Sequence, residues 1–189
     1  MTILIFIGSY GIGNILTGPM ISKLFYRQEI RGVGSGNPGA RNAGRLYGKR
    51  AFVGTFIGDA LKGALVISIA HQLGLGESSQ LLALFAVILG HIYPLLYKFR
   101  GGKGVSTLIG GLLIFNPIVF GVFVGLFIFI YPFLKSFTLA GLCAILLIPV
   151  IVLGFSYGIT AFVIACFVSA LILYAHRQDL KRKFIEEKS

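Results

Sequence analysis

Val105-Ser-Thr-Leu-Ile-Gly-Gly-Leu-Leu-Ile-Phe115-Asn116-Pro117-Ile-Val-Phe-Gly-Val-Phe-Val-Gly-Leu-Phe-Ile-Phe-Ile-Tyr131-Pro-Phe-Leu134 is a run of thirty residues with no ionisable side chain other than Tyr131. A bilayer-crossing helix needs ~20 apolar residues, so this run is too long for one span. Asn116-Pro117 divides it. The residue before a proline is pushed out of the helical region, and the proline itself stops a helix. The division predicts a short helix over Val105–Phe115, about 17 Å long at 1.5 Å per residue, and a second one over Ile118–Leu134.

Five further spans follow from the same criterion: Thr2–Leu24, Ala51–Ala70, Leu81–Tyr97, Leu139–Leu153 and Gly158–Ala175. The first reads as a retained span, because no Lys or Arg precedes it and no small-residue cleavage site follows it. Only helices or closed barrels keep backbone amides paired in hydrocarbon. Barrel strands alternate over about ten residues, and these runs are longer and uniformly apolar. The expectation is an all-α polytopic membrane protein with seven transmembrane helices, a single domain over residues 1–189. Glycines such as Gly8, Gly11 and Gly13 are expected at helix contacts, where small residues allow close approach.

Composition agrees. Hydrophobic residues are 56% of the chain and charged residues 12%, with mean hydropathy +0.90. A soluble domain of this size cannot hide so much apolar surface. Disorder is excluded by the apolar content, and a disulfide scaffold by the two cysteines. Yet Lys and Arg number 17 against 6 Asp and Glu, and the isoelectric point is near 10. Seven helices place sixteen of the seventeen basic residues on one face, in Lys23–Arg50, Lys98–Lys103, Lys135 and the tail after His176. The opposite face receives residues 71–80, Asn116-Pro117 and residues 154–157, without Lys or Arg. By the positive-inside rule the basic face is cytoplasmic, the N-terminus outside and the C-terminus inside. A high isoelectric point alone suggests nucleic acid; this one-sided placement points to the inner leaflet and to no nucleic-acid partner.

Two glycine-rich loops on that face carry the chemistry: Gly32-Val-Gly34-Ser35-Gly36-Asn37-Pro38-Gly39-Ala40-Arg41-Asn42-Ala43-Gly44-Arg45 and Phe99-Arg100-Gly101-Gly102-Lys103-Gly104-Val105-Ser106-Thr107. Successive glycine amides and a following helix N-terminus form an anion-binding concavity. Lys103 suits a phosphate oxygen, and the Arg45 fork another. Neither nucleotide-binding signature is supported. Gly34–Gly39 lacks a preceding strand, and Gly104 stands where a P-loop needs Ser or Thr. The plain alternative is a pair of flexible basic loops on anionic headgroups.

Three blocks together resemble the acyl-phosphate:glycerol-3-phosphate acyltransferases (the PlsY type). They are Gly34-Ser-Gly-Asn-Pro-Gly-Ala-Arg-Asn42, then His91-Ile-Tyr-Pro94 leading to Phe99–Thr107, then His176-Arg177. Asp59-Ala-Leu-Lys-Gly63 resembles a further stretch of the same family. The resemblance implies a seven-helix bacterial inner-membrane enzyme. It would transfer a fatty acyl group from acyl phosphate to the 1-hydroxyl of glycerol 3-phosphate, with no cofactor, metal, acyl-CoA or acyl carrier protein. It implies catalytic roles for Ser35, Lys103 and His176. Substrate contacts would come from Gly34, Gly36, Asn37, Gly39, Ala40, Arg41, Asn42, Arg45, Gly101, Gly102, Gly104, Thr107, Arg177 and Asp179. The proton acceptor is either His176 or the donor's own phosphate, the second being preferred.

Three positions depart from the family pattern: Arg41 replaces Thr, Arg100 replaces Lys and Asp179 replaces Asn. An ionised Asp accepts hydrogen bonds and repels phosphate; Arg41 is the candidate to compensate it. An altered acceptor or a weakly active member is one alternative. A non-enzymatic carrier of a phosphorylated solute is the other, although a carrier would place polar groups at the bilayer midplane. Asp59 and Lys62 share a helix face inside a span, either as functional charges or as a pair tethering helices. His91 reads as a packed, hydrogen-bonded residue and His71 as a solvated one. Cys143 and Cys166 read as small apolar residues. Lys181-Arg182-Lys183 reads as a headgroup contact.

Overall fold

The computed structural model describes the backbone of residues 2–186 and the side chains of residues 3–181. Arg182, Lys183 and Lys188 of the basic tail lie outside the described side chains. Every element among the described residues is helical: α1 (Thr2–Gly13), α2 (Thr17–Tyr26), α3 (Ala40–Tyr47), α4 (Lys49–Gln72), α5 (Glu77–Ile92), α6 (Val105–Phe115), α7 (Pro117–Leu134), α8 (Phe137–Leu146), α9 (Ile148–Gly154), α10 (Gly158–Ala175) and α11 (Arg177–Glu186). Six stretches are long and apolar enough to cross a membrane, and α6 is a shorter apolar helix.

The division at Asn116 is built as its chemistry requires. Asn116 is extended (φ −160°, ψ 115°), and its Oδ1 accepts from the amides of Ile118 at 2.8 Å and Val119 at 3.1 Å. Two orphan donors at the start of α7 are thereby satisfied. Its Nδ2 donates to the Tyr157 hydroxyl at 2.7 Å, which brings the 116–117 turn to the 154–157 turn.

Two expected single helices are broken instead. The first span parts at Asn14–Leu16, between α1 and α2. Lys62 from α4 donates its ammonium to the carbonyls of Gly13 (3.3 Å) and Ile15 (2.8 Å), while the Asp59 carboxylate accepts the Thr17 amide at 3.4 Å. The buried ion pair stitches both ends of the break. In the sixth span, α8 gives way to α9 ahead of Pro149. A proline ring cannot donate to the carbonyl four residues back. That carbonyl, of Ile145, accepts from the Ser169 hydroxyl of α10 at 2.7 Å instead.

The core is formed by α4 to α10 around fully buried Ile67, Leu84, Ile88, Leu108, Leu112, Val119, Ile145 and Ile172. Glycine sets the closest approaches. A side chain at Gly110 would meet the Ala60 carbonyl, and one at Gly63 the Thr107 carbonyl, so α4 and α6 touch backbone to backbone. Gly13 and Gly90 do the same for α1 and α5, whereas Gly8 and Gly11 face open space. The expected role holds for Gly13 alone of those three. Outward positions such as Ile128 and Phe129 on α7 are exposed, as a lipid-facing surface requires.

Contacts at the basic end join segments far apart in sequence. Arg31 donates to the Tyr97 carbonyl at 3.3 Å, Arg41 to the Thr138 hydroxyl at 2.6 Å, and Lys103 to the Asp179 carboxylate. Loops on either side of α4–α5, α6–α7 and α8–α10 therefore meet at one end of the bundle.

Candidate active site

The first glycine-rich loop is held from within. Asn42, 1% exposed, reaches back from α3; its Oδ1 accepts the Ser35 amide at 3.1 Å. Its Nδ2 donates to the carbonyls of Val33 (3.1 Å) and Ile30 (3.4 Å). Gly34, in the left-handed region at φ +64°, packs its Cα against the same oxygen, where a side chain would collide. Asn42 therefore shapes the loop, and its amide group is spent there. Ser35 is left exposed at the tip and Asn37 half-buried. Gly39 caps α3 without a side-chain hydrogen bond, so the first amides of α3, beginning with buried Ala40, keep their positive end for an anion.

A charged clamp ties this loop to the second. Glu29 accepts from Arg31 Nε at 2.9 Å and lies 3.4 Å from Lys23. The Arg31 hydrogen bond holds the Glu29 carboxyl well down, at about 2. Arg31 in turn lies 4.8 Å over the Tyr97 ring. Sequence reasoning missed this clamp; its signal was Glu29, the lone acidic residue among the bases of Lys23–Arg50.

In the second loop the amides of Gly101 and Gly102 donate to the carbonyls of Ile92 (3.1 Å) and His91 (3.0 Å). Those amides serve the end of α5 and are withdrawn from an anion. Gly102 rests on the His91 imidazole, whose Nδ1 is 2.6 Å from Lys62 Nζ. The loop thus stands on the Asp59–Lys62–His91 network, which reads as the tethering role for both charges. Gly104 caps α6 at φ +82°. Thr107 is fully buried between α4 and α6, and its hydroxyl has no partner among the described residues. Packing, rather than the loop, claims Thr107.

His176 ends α10 at 7% exposure, its Nδ1 2.9 Å from the Ile172 carbonyl. A carbonyl only accepts, so Nδ1 carries the proton in the neutral ring and the Nε2 lone pair is available. Burial pushes the imidazole below the ordinary histidine range; the charges of Lys103 and Arg41 act in the same sense, against the Ile172 carbonyl and Asp179. Lys103, Arg41 and Asp179 are therefore all within electrostatic range of one neutral histidine. The expected compensation of Asp179 by Arg41 takes another form, because Asp179 pairs with Lys103 and Arg41 is braced by Thr138. Arg177 turns away and stacks on Tyr174 at 4.1 Å, donating to the Tyr174 carbonyl at 2.9 Å. Arg41, Gly44, Arg45, Lys49 and Phe52 line an adjoining cavity of about 350 Å³. Arg41 and Arg45 share one recess that suits a phosphate, and Lys103 offers its charge beside Asp179. The arrangement presents a neutral histidine nitrogen to a hydroxyl and opens toward apolar surface.

Comparison with known proteins gives the same direction. A family model described as glycerol-3-phosphate acyltransferase matches residues 3–185. The chain is 46% identical over 178 residues to glycerol-3-phosphate acyltransferase 1 of Bacillus cereus, covering 94% of this chain and 98% of the relative. It is 38% identical over 175 residues to that of Desulfitobacterium hafniense, covering 93% and 87%. The fold resembles a crystal structure of PlsY, an integral membrane glycerol 3-phosphate acyltransferase, in its glycerol 3-phosphate form, with a TM-score of 0.88, 31% identity and coverage of 98% of this chain and 92% of that one. The lysophosphatidic acid form matches with a TM-score of 0.86, 30% identity and the same coverage.

Proposed function

This chain belongs to the glycerol-3-phosphate acyltransferase family, and on that premise we propose how its basic end performs the reaction. The chain is an integral membrane acyltransferase that esterifies glycerol 3-phosphate to lysophosphatidic acid. The donor is a fatty acyl phosphate, and the site faces the cytoplasm from a bacterial inner membrane crossed seven times by one domain. The single observation that carries this reading is that Lys103, just ahead of the N-terminus of α6, meets Asp179, three residues beyond buried His176, whose Nδ1 is tied to the Ile172 carbonyl.

The glycerol 1-hydroxyl oxygen attacks the acyl carbonyl. The carbon–oxygen bond to the donor phosphate breaks, and inorganic phosphate leaves with the electron pair. The 1-hydroxyl proton passes to the departing phosphate, while His176 Nε2 accepts a hydrogen bond from the neighbouring 2-hydroxyl and so aims the glycerol phosphate. Lys103, Arg45 and Arg41 offset the charge that gathers on phosphate oxygens, aided by the free amides that begin α3. Ser35, held by Asn42 through its amide, lies by the reacting carbonyl, and the greasy spans receive the acyl chain.

Purified protein in detergent micelles with palmitoyl phosphate and glycerol 3-phosphate is expected to yield lysophosphatidate and one equivalent of phosphate. Palmitoyl-CoA in place of the phosphate is expected to yield none. Product from the thioester, or none from acyl phosphate while the B. cereus relative works alongside, would overturn the donor assignment.

A further inference from the structure

Lys103, the lysine best placed for a substrate phosphate, is already engaged. Its ammonium donates to the Asp179 carboxylate, with side chains 24% and 35% exposed. Asp179 lies in the first turn of α11, where the helix dipole favours its negative charge whether or not Lys103 is near. Both groups are partly open to water, which can take over part of each partner's role, so the pair is exchangeable. Arg41, a second cation at this end of the bundle, is differently held. One of its five N–H groups is committed to Thr138 on α8, which braces the guanidinium while four donors remain. With His176 neutral, Lys103, Arg41 and Asp179 leave the cluster one net positive charge where two cations stand.

We propose that Asp179 acts as a competitor for Lys103, so that a phosphate dianion must displace the carboxylate to bind, and that the braced Arg41 supplies the charge that lets it do so. This rests on the reading of the basic end as the phosphate site. A dianion carries two charges to the carboxylate's one, and Lys103 exchanges one anionic partner for a stronger one. Displaced, Asp179 remains stabilised at the start of α11. Affinity for phosphate is then set by two residues with opposite effects, and the two are coupled through Lys103.

The test is the Michaelis constant for each substrate, measured with the other saturating, in wild type, Asp179→Asn, Asp179→Ala, Arg41→Met and Asp179→Asn/Arg41→Met. Both Asp179 variants are expected to lower one KM about tenfold, roughly what one charge is worth against a dianion a few ångströms away. The substrate whose KM falls is the one whose phosphate meets Lys103. Arg41→Met is expected to raise that KM about tenfold in the wild-type background and only two- to threefold where Asp179 is already Asn. Unchanged or raised KM values in both Asp179 variants overturn the competition. An Arg41→Met effect of equal size in both backgrounds overturns the coupling. Binding of inorganic phosphate, read as thermal stabilisation, is expected to rank Asp179→Asn above wild type and wild type above Arg41→Met. This ranking needs no turnover. If the wild type forms no lysophosphatidate, the catalytic reading fails while the ranking still judges the competition.

Discussion

Replacing Lys62 with Met places a side chain of similar length where an ammonium now serves four groups. Asp59, 2% exposed and 3.1 Å from Lys62 Nζ, loses its counterion; removing one partner of such a pair costs ~3–5 kcal/mol. The carbonyls of Gly13 and Ile15 lose their donor, at about 1 kcal/mol each. His91 Nδ1 loses its neighbour at 2.6 Å. The total of about 5 kcal/mol corresponds to a fall in melting temperature of at least ~10 °C for a chain of this size. Asp59→Asn/Lys62→Met removes the stranded charge, and an Asn oxygen still accepts the Thr17 amide. The double variant is therefore expected to lose only about 2 kcal/mol, or about 5 °C, which is ~3 kcal/mol less than Lys62→Met alone. The assay can use the protein's own thiols, since Cys143 and Cys166 are partly buried and free. A thiol-reactive fluorophore in dodecyl maltoside reports their exposure on heating. Lys62→Met melting within ~2 °C of wild type, or the double variant melting no higher than the single, would refute the stitching role.

Asn42→Ala deletes three loop hydrogen bonds and should cost ~2–4 kcal/mol of loop order, seen as a fall in kcat/KM of tenfold or more. Asn42→Asp should not rescue it, because a carboxylate accepts from Ser35 but cannot donate to Ile30 and Val33. Gly110→Val drives a methyl group into the Ala60 carbonyl and should lower the melting temperature by several degrees, ~1–3 kcal/mol of overpacking, while Gly121→Val, facing open space, should leave it unchanged. For His176 the folded-state pKa is depressed, so its contribution to stability is full above the ordinary histidine value and is lost as pH falls below it. Melting curves should show wild type losing stability relative to His176→Gln as pH drops below ~6.5; parallel curves would contradict the buried neutral ring.

Residue chemistry that acts locally is legible in the sequence. Asn116-Pro117 stops and restarts a helix through its own dihedral limits and its own side-chain cap. The length of each apolar run, and the loops that carry Ser35, Arg41 and Lys103, needed nothing beyond the chain's order. The break at Asn14–Leu16 was not legible, because its carbonyls are satisfied by Lys62, 47 residues away from Ile15. The roles of the glycines divided the same way. Gly8, Gly11 and Gly13 are alike in sequence, yet only Gly13 faces another backbone.

The same distinction runs through the candidate site. The family resemblance implies Asn42, Gly101, Gly102 and Thr107 as binding residues; hydrogen bonds engage the Asn42 side chain and the Gly101 and Gly102 amides within the loops, and Thr107 is buried on α6. Motif spacing could not decide whether Asp179 would meet Arg41 or Lys103, since that depends on where α3, α6 and α11 end in space. The sequence by itself determined the apolar runs, their lengths and the end of the bundle that gathers positive charge. These follow from backbone sterics and from the cost of unpaired amides and charges in hydrocarbon. Only the tertiary structure decided which charge is paired, which amide is free and which nitrogen of His176 offers a lone pair. The Lys103–Asp179 pair joins residues 76 apart in the chain, and pairing at that range is set by packing.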